Sequence, residues 1–175
     1  MKTISGVSLE VSVGDISHQP DISVIVNAAN AELQTGGGVA GAIHRAAGPG
    51  LAKECRPVAP ISPGEAIITK AHSLPNNYVI HCLGPVYGKD KPEDELLSKC
   101  YSNALQLADK YQIESIAFPA ISTGAFGYPS DPAAEIALQT VVKCASILQH
   151  VKKIRMVLFE NSGYEIYRQK LNKLL

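Results

Sequence analysis

Apolar and polar positions follow two periods along this chain. Short, β-branched runs predict strands at Val24-Ile25-Val26, Ala66-Ile67-Ile68, Tyr78-Val79-Ile80, Ile116-Ala117-Phe118 and Ile154-Arg155-Met156-Val157-Leu158-Phe159. Most of them lack clean alternation, as expected of strands covered on both faces. Between them lie stretches with helical spacing. Leu96, Leu97, Cys100, Tyr101, Ala104, Leu105, Ala108 and Tyr111 recur at intervals of three and four. Ile136, Val141, Val142, Ala145 and Leu148 do so more loosely. Asp131-Pro132 predicts an N-cap followed by proline at the first helical position. Ser162-Gly163-Tyr164-Glu165 has capping-box spacing and predicts a final helix through about Leu174. The proline-rich segments Arg56–Gly64 and Gly84–Pro92 read as loops inside one domain, because core-forming patterns flank both. Strands alternating with helices predict an α/β sandwich on a largely parallel central sheet.

Composition narrows the function classes. The chain has 175 residues, enough for one domain with a full core. Its 16 basic and 16 acidic residues cancel, which argues against non-specific nucleic-acid binding. Lys152, Lys153 and Arg155 cluster, but their interleaving with a strand pattern reads as a solvated strand edge. No stretch approaches the roughly 18 uninterrupted apolar residues of a membrane span, and the N-terminus lacks the apolar core of a signal peptide. A cytoplasmic location and no membrane partner are the expectation. Cys55, Cys82, Cys100 and Cys144 show no metal-ligand spacing and sit in apolar patterns, so reduced core thiols are expected, with no metal and no cofactor.

Two glycine-bearing loops carry the chemistry. Gly36-Gly37-Gly38-Val39-Ala40-Gly41 follows the strand that ends in Val26-Asn27-Ala28-Ala29-Asn30. Ser122-Thr123-Gly124-Ala125-Phe126-Gly127-Tyr128-Pro129 follows Ile116-Ala117-Phe118. Each lies between a predicted strand and a predicted helix. Backbone N–H groups at such a junction, with the helix dipole behind them, favour an anion. Two such loops point to a phosphate or diphosphate held between them.

With these motifs in view, the chain resembles the macro domain family of ADP-ribose-binding modules. The resemblance runs from Val13-Gly14-Asp15-Ile16 to the last helix. It passes in order through Val26–Asn30, Gly36–Val39, Gly64-Glu65-Ala66, Tyr78–His81 with Gly84-Pro85, and Ser122–Pro129. It implies a three-layer α/β/α sandwich on a mixed, largely parallel sheet, with residues 1–175 forming one macro domain. It also implies ADP-ribose or an ADP-ribosyl derivative as ligand, with mono-ADP-ribosylated proteins as partners. Asp15 and the Ile16 backbone would meet adenine. Ala28 borders the site, and Gly36, Gly37, Gly38 and Val39 form the first phosphate loop. Ser122, Thr123, Gly124, Ala125 and Phe126 form the second, with the Ser122 hydroxyl near the diphosphate and the Phe126 ring by the distal ribose. Phe159 and Asn161 would border the adenine. Asn30, with donor and acceptor atoms on one amide, suits the distal ribose diol. Asn27 is expected to tie loops together.

The resemblance also implies hydrolysis of ADP-ribosyl esters, with one departure. One hydrolytic branch carries an aspartate just after its Gly-Gly-Gly-Val run, where this chain has Ala40. Without that carboxylate, a water oriented by Asn30 and by the ligand's own phosphate is the preferred route. His44, one helical turn beyond Ala40, is the candidate general base. A supporting histidine bonded to loop backbone is the favoured alternative reading of it. His81 reads as a satisfied core histidine. A non-catalytic ADP-ribose reader and an ADP-ribose 1''-phosphate phosphatase are the competing functions.

Overall fold

A computed structural model describes residues 1–175. The strands are β1 (Lys2–Ile4), β2 (Val7–Val13), β3 (Val24–Ala28), β4 (Ala66–Lys70), β5 (Tyr78–Cys82), β6 (Ser115–Phe118) and β7 (Lys153–Leu158). The helices are α1 (Gly38–Ala47), α2 (Pro49–Cys55), α3 (Glu93–Lys110), α4 (Ser130–Ala145) and α5 (Asn161–Leu174), with a 3-10 turn at Arg56–Val58. One seven-stranded sheet has the order β1-β2-β7-β6-β3-β5-β4. Its five central strands are parallel, and only the edge strands β1 and β4 run antiparallel to their neighbours.

Burial on both faces explains the apolar runs. Val24, Val26, Ile80, Cys82, Ile116, Phe118, Ile154, Met156 and Leu158 point into the core shared with α3, α4 and α5. Ile25, Val79, Ala117 and Val157 point into the opposite core, against α1 and α2. The result is a three-layer α/β/α sandwich, the form that the resemblance implies. The four cysteines are free and buried, and burial pushes the Cys55 thiol up to about 11. No helix is long and apolar enough to cross a membrane.

Several local readings need correction. The strands β1 and β2 have no counterpart among the β-branched runs. Yet Val7-Ser8-Leu9-Glu10-Val11-Ser12-Val13 alternates cleanly, and Ser5-Gly6 is a two-residue hairpin turn with positive φ at both positions (51° and 80°). A search tuned to fully buried strands passes over a half-buried one. The helix α4 begins at Ser130, so Asp131 lies inside the first turn and caps nothing; its carboxylate pairs with Lys170 of α5 at 2.9 Å. It ends at Ala145, short of Leu148. The helix α5 begins at Asn161 with no side-chain cap, so the Ser162–Glu165 capping box does not form. Finally, β7 is interior, between β2 and β6, so Arg155 is not on a solvated edge: its side chain is only 12% exposed.

Candidate functional site

The topology brings the two glycine loops together. The strands β3 and β6 are adjacent and parallel, so the loops after them leave the same edge of the sheet side by side. The β3 loop then turns to α1 on one face, while the β6 loop turns to α4 on the other. A crevice opens where adjacent parallel strands send their connections to opposite faces, and this is where open α/β sheets bind ligands.

The two loops present unpaired donors. The N–H groups of Gly36, Gly37, Gly38, Val39 and Ala40 donate to no group of the chain, and the first bonded amide is Gly41, to the Gly37 carbonyl at 3.2 Å. In the second loop the N–H groups of Ser122, Thr123, Gly124, Ala125 and Phe126 are equally free. Two rows of five unpaired amides at one sheet edge form a neutral cradle for anionic oxygens.

Close backbone approach builds the cradle. A Cβ on Gly41 would overlap the Gly36 carbonyl oxygen, so only glycine lets α1 lie this close to the first loop. A Cβ on Gly84 would overlap the Ser122 hydroxyl and come within 2.6 Å of Ile121 Cγ2. Ser122 itself has φ 68°. Its hydroxyl is packed inward against Gly84 and is buried without a partner, so it faces the loop's support and not its open side. Phe126 is half-buried and packs against the α1–α2 core, as Val39 of the first loop also does.

At the other end of this edge, β2 runs into Asp15 and its neighbour β7 runs into Phe159 and Asn161. Asp15 Oδ1 accepts the Ser17 amide at 2.8 Å and the Ser17 hydroxyl at 2.6 Å, leaving Oδ2 free. These bonds hold the Asp15 carboxyl below its usual range. Ile16 buries its side chain, and its N–H has no partner in the chain. Phe159 is 82% exposed and Asn161 is exposed. With strands about 4.8 Å apart, the path from β2 past β7 and β6 to β3 spans about 14 Å. That length suits an extended ligand.

Asn30 sits at the β3 end of that path. Its Oδ1 accepts the Gln34 N–H at 3.1 Å and its Nδ2 donates to the Gln34 carbonyl at 2.9 Å. One donor hydrogen and one lone pair remain, and Nδ2 lies 3.5 Å from where a Gly36 Cβ would be. Ala28 ends β3 beneath it.

His44 differs from the loop-bonded histidine favoured on sequence. It is buried on the inner face of α1 together with Ala40, and its Nε2 has no hydrogen-bond partner. Burial lowers its pKa, so the ring is neutral at neutral pH. His81 is a paired core histidine. Its Nδ1 meets Asn27 Nδ2 at 3.1 Å and its Nε2 meets Thr69 Oγ1 at 3.0 Å, and burial takes its pKa down to about 3. Asn27 is fully buried and joins β3 to β5 through this ring. No group of three or more His, Cys, Asp or Glu is placed to hold a metal. The polar hollow between α3 and α4, where Ser98 and Thr140 pair their hydroxyls at 2.9 Å, lies away from both loops.

Fold and site together describe an α/β/α sandwich with a crevice lined by unpaired amides at the carboxyl edge of its parallel strands. The macro domain family model matches residues 26–137, and the chain belongs to the macro domain family. It is 46% identical over 155 residues to a macro domain-containing protein of Methanosarcina mazei, covering 88% of this chain and 83% of that one. It is 47% identical over 167 residues to a Klebsiella pneumoniae protein named O-acetyl-ADP-ribose deacetylase, covering 93% and 95%. Among solved structures, it is similar to a glycine-to-valine variant of the Oceanobacillus iheyensis macrodomain with ADPR. That match has a TM-score of 0.94 and 42% identity, over 99% of this chain and 96% of that one.

Proposed function

We propose that this chain binds ADP-ribose and hydrolyses ADP-ribosyl esters, either on acidic side chains of mono-ADP-ribosylated proteins or in O-acetyl-ADP-ribose. The observation that carries this reading is the pair of unpaired N–H rows at the ends of β3 and β6, in line with a free Asp15 oxygen two and three strands away. The rows suit a diphosphate. Asp15 Oδ2 and the Ile16 N–H suit the amino group and the adjacent ring nitrogen of adenine. Phe159 and Asn161 flank that base, and Phe126 and Asn30 lie where the distal ribose would fall. The deacetylase name of a 47% identical relative and the ADPR of a solved neighbour support the same ligand.

In this mechanism Asn30 and the ligand's own phosphate orient a water. Its oxygen bonds to the ester carbon, the ester C–O bond breaks, and its hydrogens end on the released hydroxyl and carboxyl groups. The loop amides stabilise the charge that develops. An ester is activated enough to react without a strong general base. His44, buried and neutral, acts as a support of α1. Ala40 favours a second reading, an ADP-ribose reader without turnover.

The test is release of ADP-ribose from a protein carrying one glutamate-linked ADP-ribose, followed over many turnovers. Turnover that falls at least tenfold in Asn30→Ala, with ADP-ribose affinity within about threefold, supports the hydrolase. Saturable ADP-ribose binding with no release from this ester or from O-acetyl-ADP-ribose leaves the reader, and phosphate release from ADP-ribose 1''-phosphate would indicate the phosphatase.

A further inference from the structure

The segment from Gly14 to Ser23, between β2 and β3, has its conformation imposed from the sheet. The Gly14 N–H donates to the Leu158 carbonyl at 2.9 Å, and Asn76 Nδ2 donates to the Gln19 and Ile22 carbonyls at 2.8 and 2.7 Å. The Ser17 bonds orient the Asp15 carboxylate within its own turn, but they do not fix that turn relative to the sheet. Gln19 does. The residue is buried, at 8% exposure; its Nε2 donates to the Asp15 carbonyl at 2.9 Å, and its Oε1 accepts Arg155 Nη1 at 2.8 Å. Arg155 is itself immobilised on β7. Asp21 accepts its Nη1 and Nη2 at 2.9 and 2.7 Å, and Glu10 lies 3.4 Å from its Nε.

The link between Arg155 and a carbonyl must accept at one end and donate at the other. A guanidinium only donates and a carbonyl only accepts, so an amide of this length is the residue type that joins them. We infer that Gln19 is a positioning residue for base recognition: it carries the fixed geometry of Arg155 to the Asp15 backbone and so aims Asp15 Oδ2 and the Ile16 N–H at the amino edge of a purine. This rests on the reading above that Asp15 meets adenine. Gln19 touches no ligand; it sets selectivity through the turn it holds.

Calorimetric titration with ADP-ribose and with its hypoxanthine counterpart, which lacks the amino group, tests this. The parent protein prefers ADP-ribose by about tenfold, the worth of one charge-assisted hydrogen bond. Gln19→Glu keeps the acceptor for Arg155 but sets an oxygen against the Asp15 carbonyl. It lowers the preference to about threefold or less, with the hypoxanthine ligand bound within about twofold of the parent. Gln19→Met, similar in length without either hydrogen bond, does the same. An unchanged preference, or equal weakening toward both ligands, overturns the inference, as does a parent that binds both ligands equally. A parent that binds neither overturns the ADP-ribose reading first and the inference with it.

Discussion

The two glycine loops offer the same chemistry, a row of unpaired amides, from opposite constructions. The first, Gly36–Ala40, is open. Its support is the two-way bond between Asn30 and Gln34 and the close approach of Gly41, and no atom lies within 4 Å of where a Gly37 Cβ would be. The second, Ser122–Phe126, is braced from behind. The Tyr101 hydroxyl accepts the Ile121 N–H at 3.1 Å, Tyr128 N–H closes on the Ser122 carbonyl at 2.9 Å, and Tyr87 N–H reaches the Phe126 carbonyl at 2.8 Å. One loop keeps its donors accessible by lacking side chains; the other turns its hydroxyl inward and is held by its neighbours. Preorganised donors are worth more than mobile ones, because they need not reorganise when charge arrives.

The sharpest way to break this difference is at the brace. Gly84→Ala pushes Ile121 and Ser122 away from the chain that follows β5. ADP-ribose affinity is expected to fall by about a hundredfold, with a stability loss of about 1–3 kcal/mol from overpacking, read by calorimetry and urea melts. Gly41→Ala acts on the open loop by pushing the Gly36 carbonyl away from α1. A similar stability cost is expected with a smaller affinity loss, of about tenfold, because the open loop can relax toward solvent.

The buried link under the first loop responds to pH. His81 has its pKa lowered to about 3 by burial, so between pH 6.5 and 3 the unfolded chain binds a proton that the folded chain does not. Its contribution is fully present above pH 6.5 and falls with acidification by at most about 1.4 kcal/mol per pH unit. Urea melts from pH 7.5 to 4.5 should show the decline, and His81→Gln should flatten it. The smallest effect belongs to Gly37→Ala. With open space around the added methyl, stability should stay within about 0.5 kcal/mol and affinity within about threefold. A tenfold loss of binding would show that the first loop lies closer to its ligand than its open construction implies.

Much of this was legible in the chain. Two-sided burial writes itself as unbroken β-branched runs, so β3, β5, β6 and β7 can be read directly. The glycine loops are equally visible, because a strand, a loop with few side chains and a helix start are local features. The helix starts were read less well. Asp131 and Ser162 carry capping chemistry, but each lies one residue inside its helix, and Asp131 pairs with Lys170 instead of a backbone amide. The inward turn of the Ser122 hydroxyl and the burial of His44 have no local signal, since each depends on what packs behind it.

What the sequence determined by itself is the set of parts: strands buried on both faces, two glycine loops each set between a strand and a helix, and Asn30 just after one of those strands. These follow from side-chain periodicity and backbone stereochemistry, which act over a few residues. What only the tertiary structure decided is their relation. Strand order sets β3 beside β6 and β2 beside β7, and thereby fixes the spacing between the free Asp15 oxygen and the two amide rows. In the bridge from Arg155 through Gln19 to Asp15, the Arg155–Gln19 bond joins residues 136 positions apart in the chain. No local pattern encodes such a contact; it exists because the connection from β2 to β3 folds back over the sheet onto Arg155, inside β7.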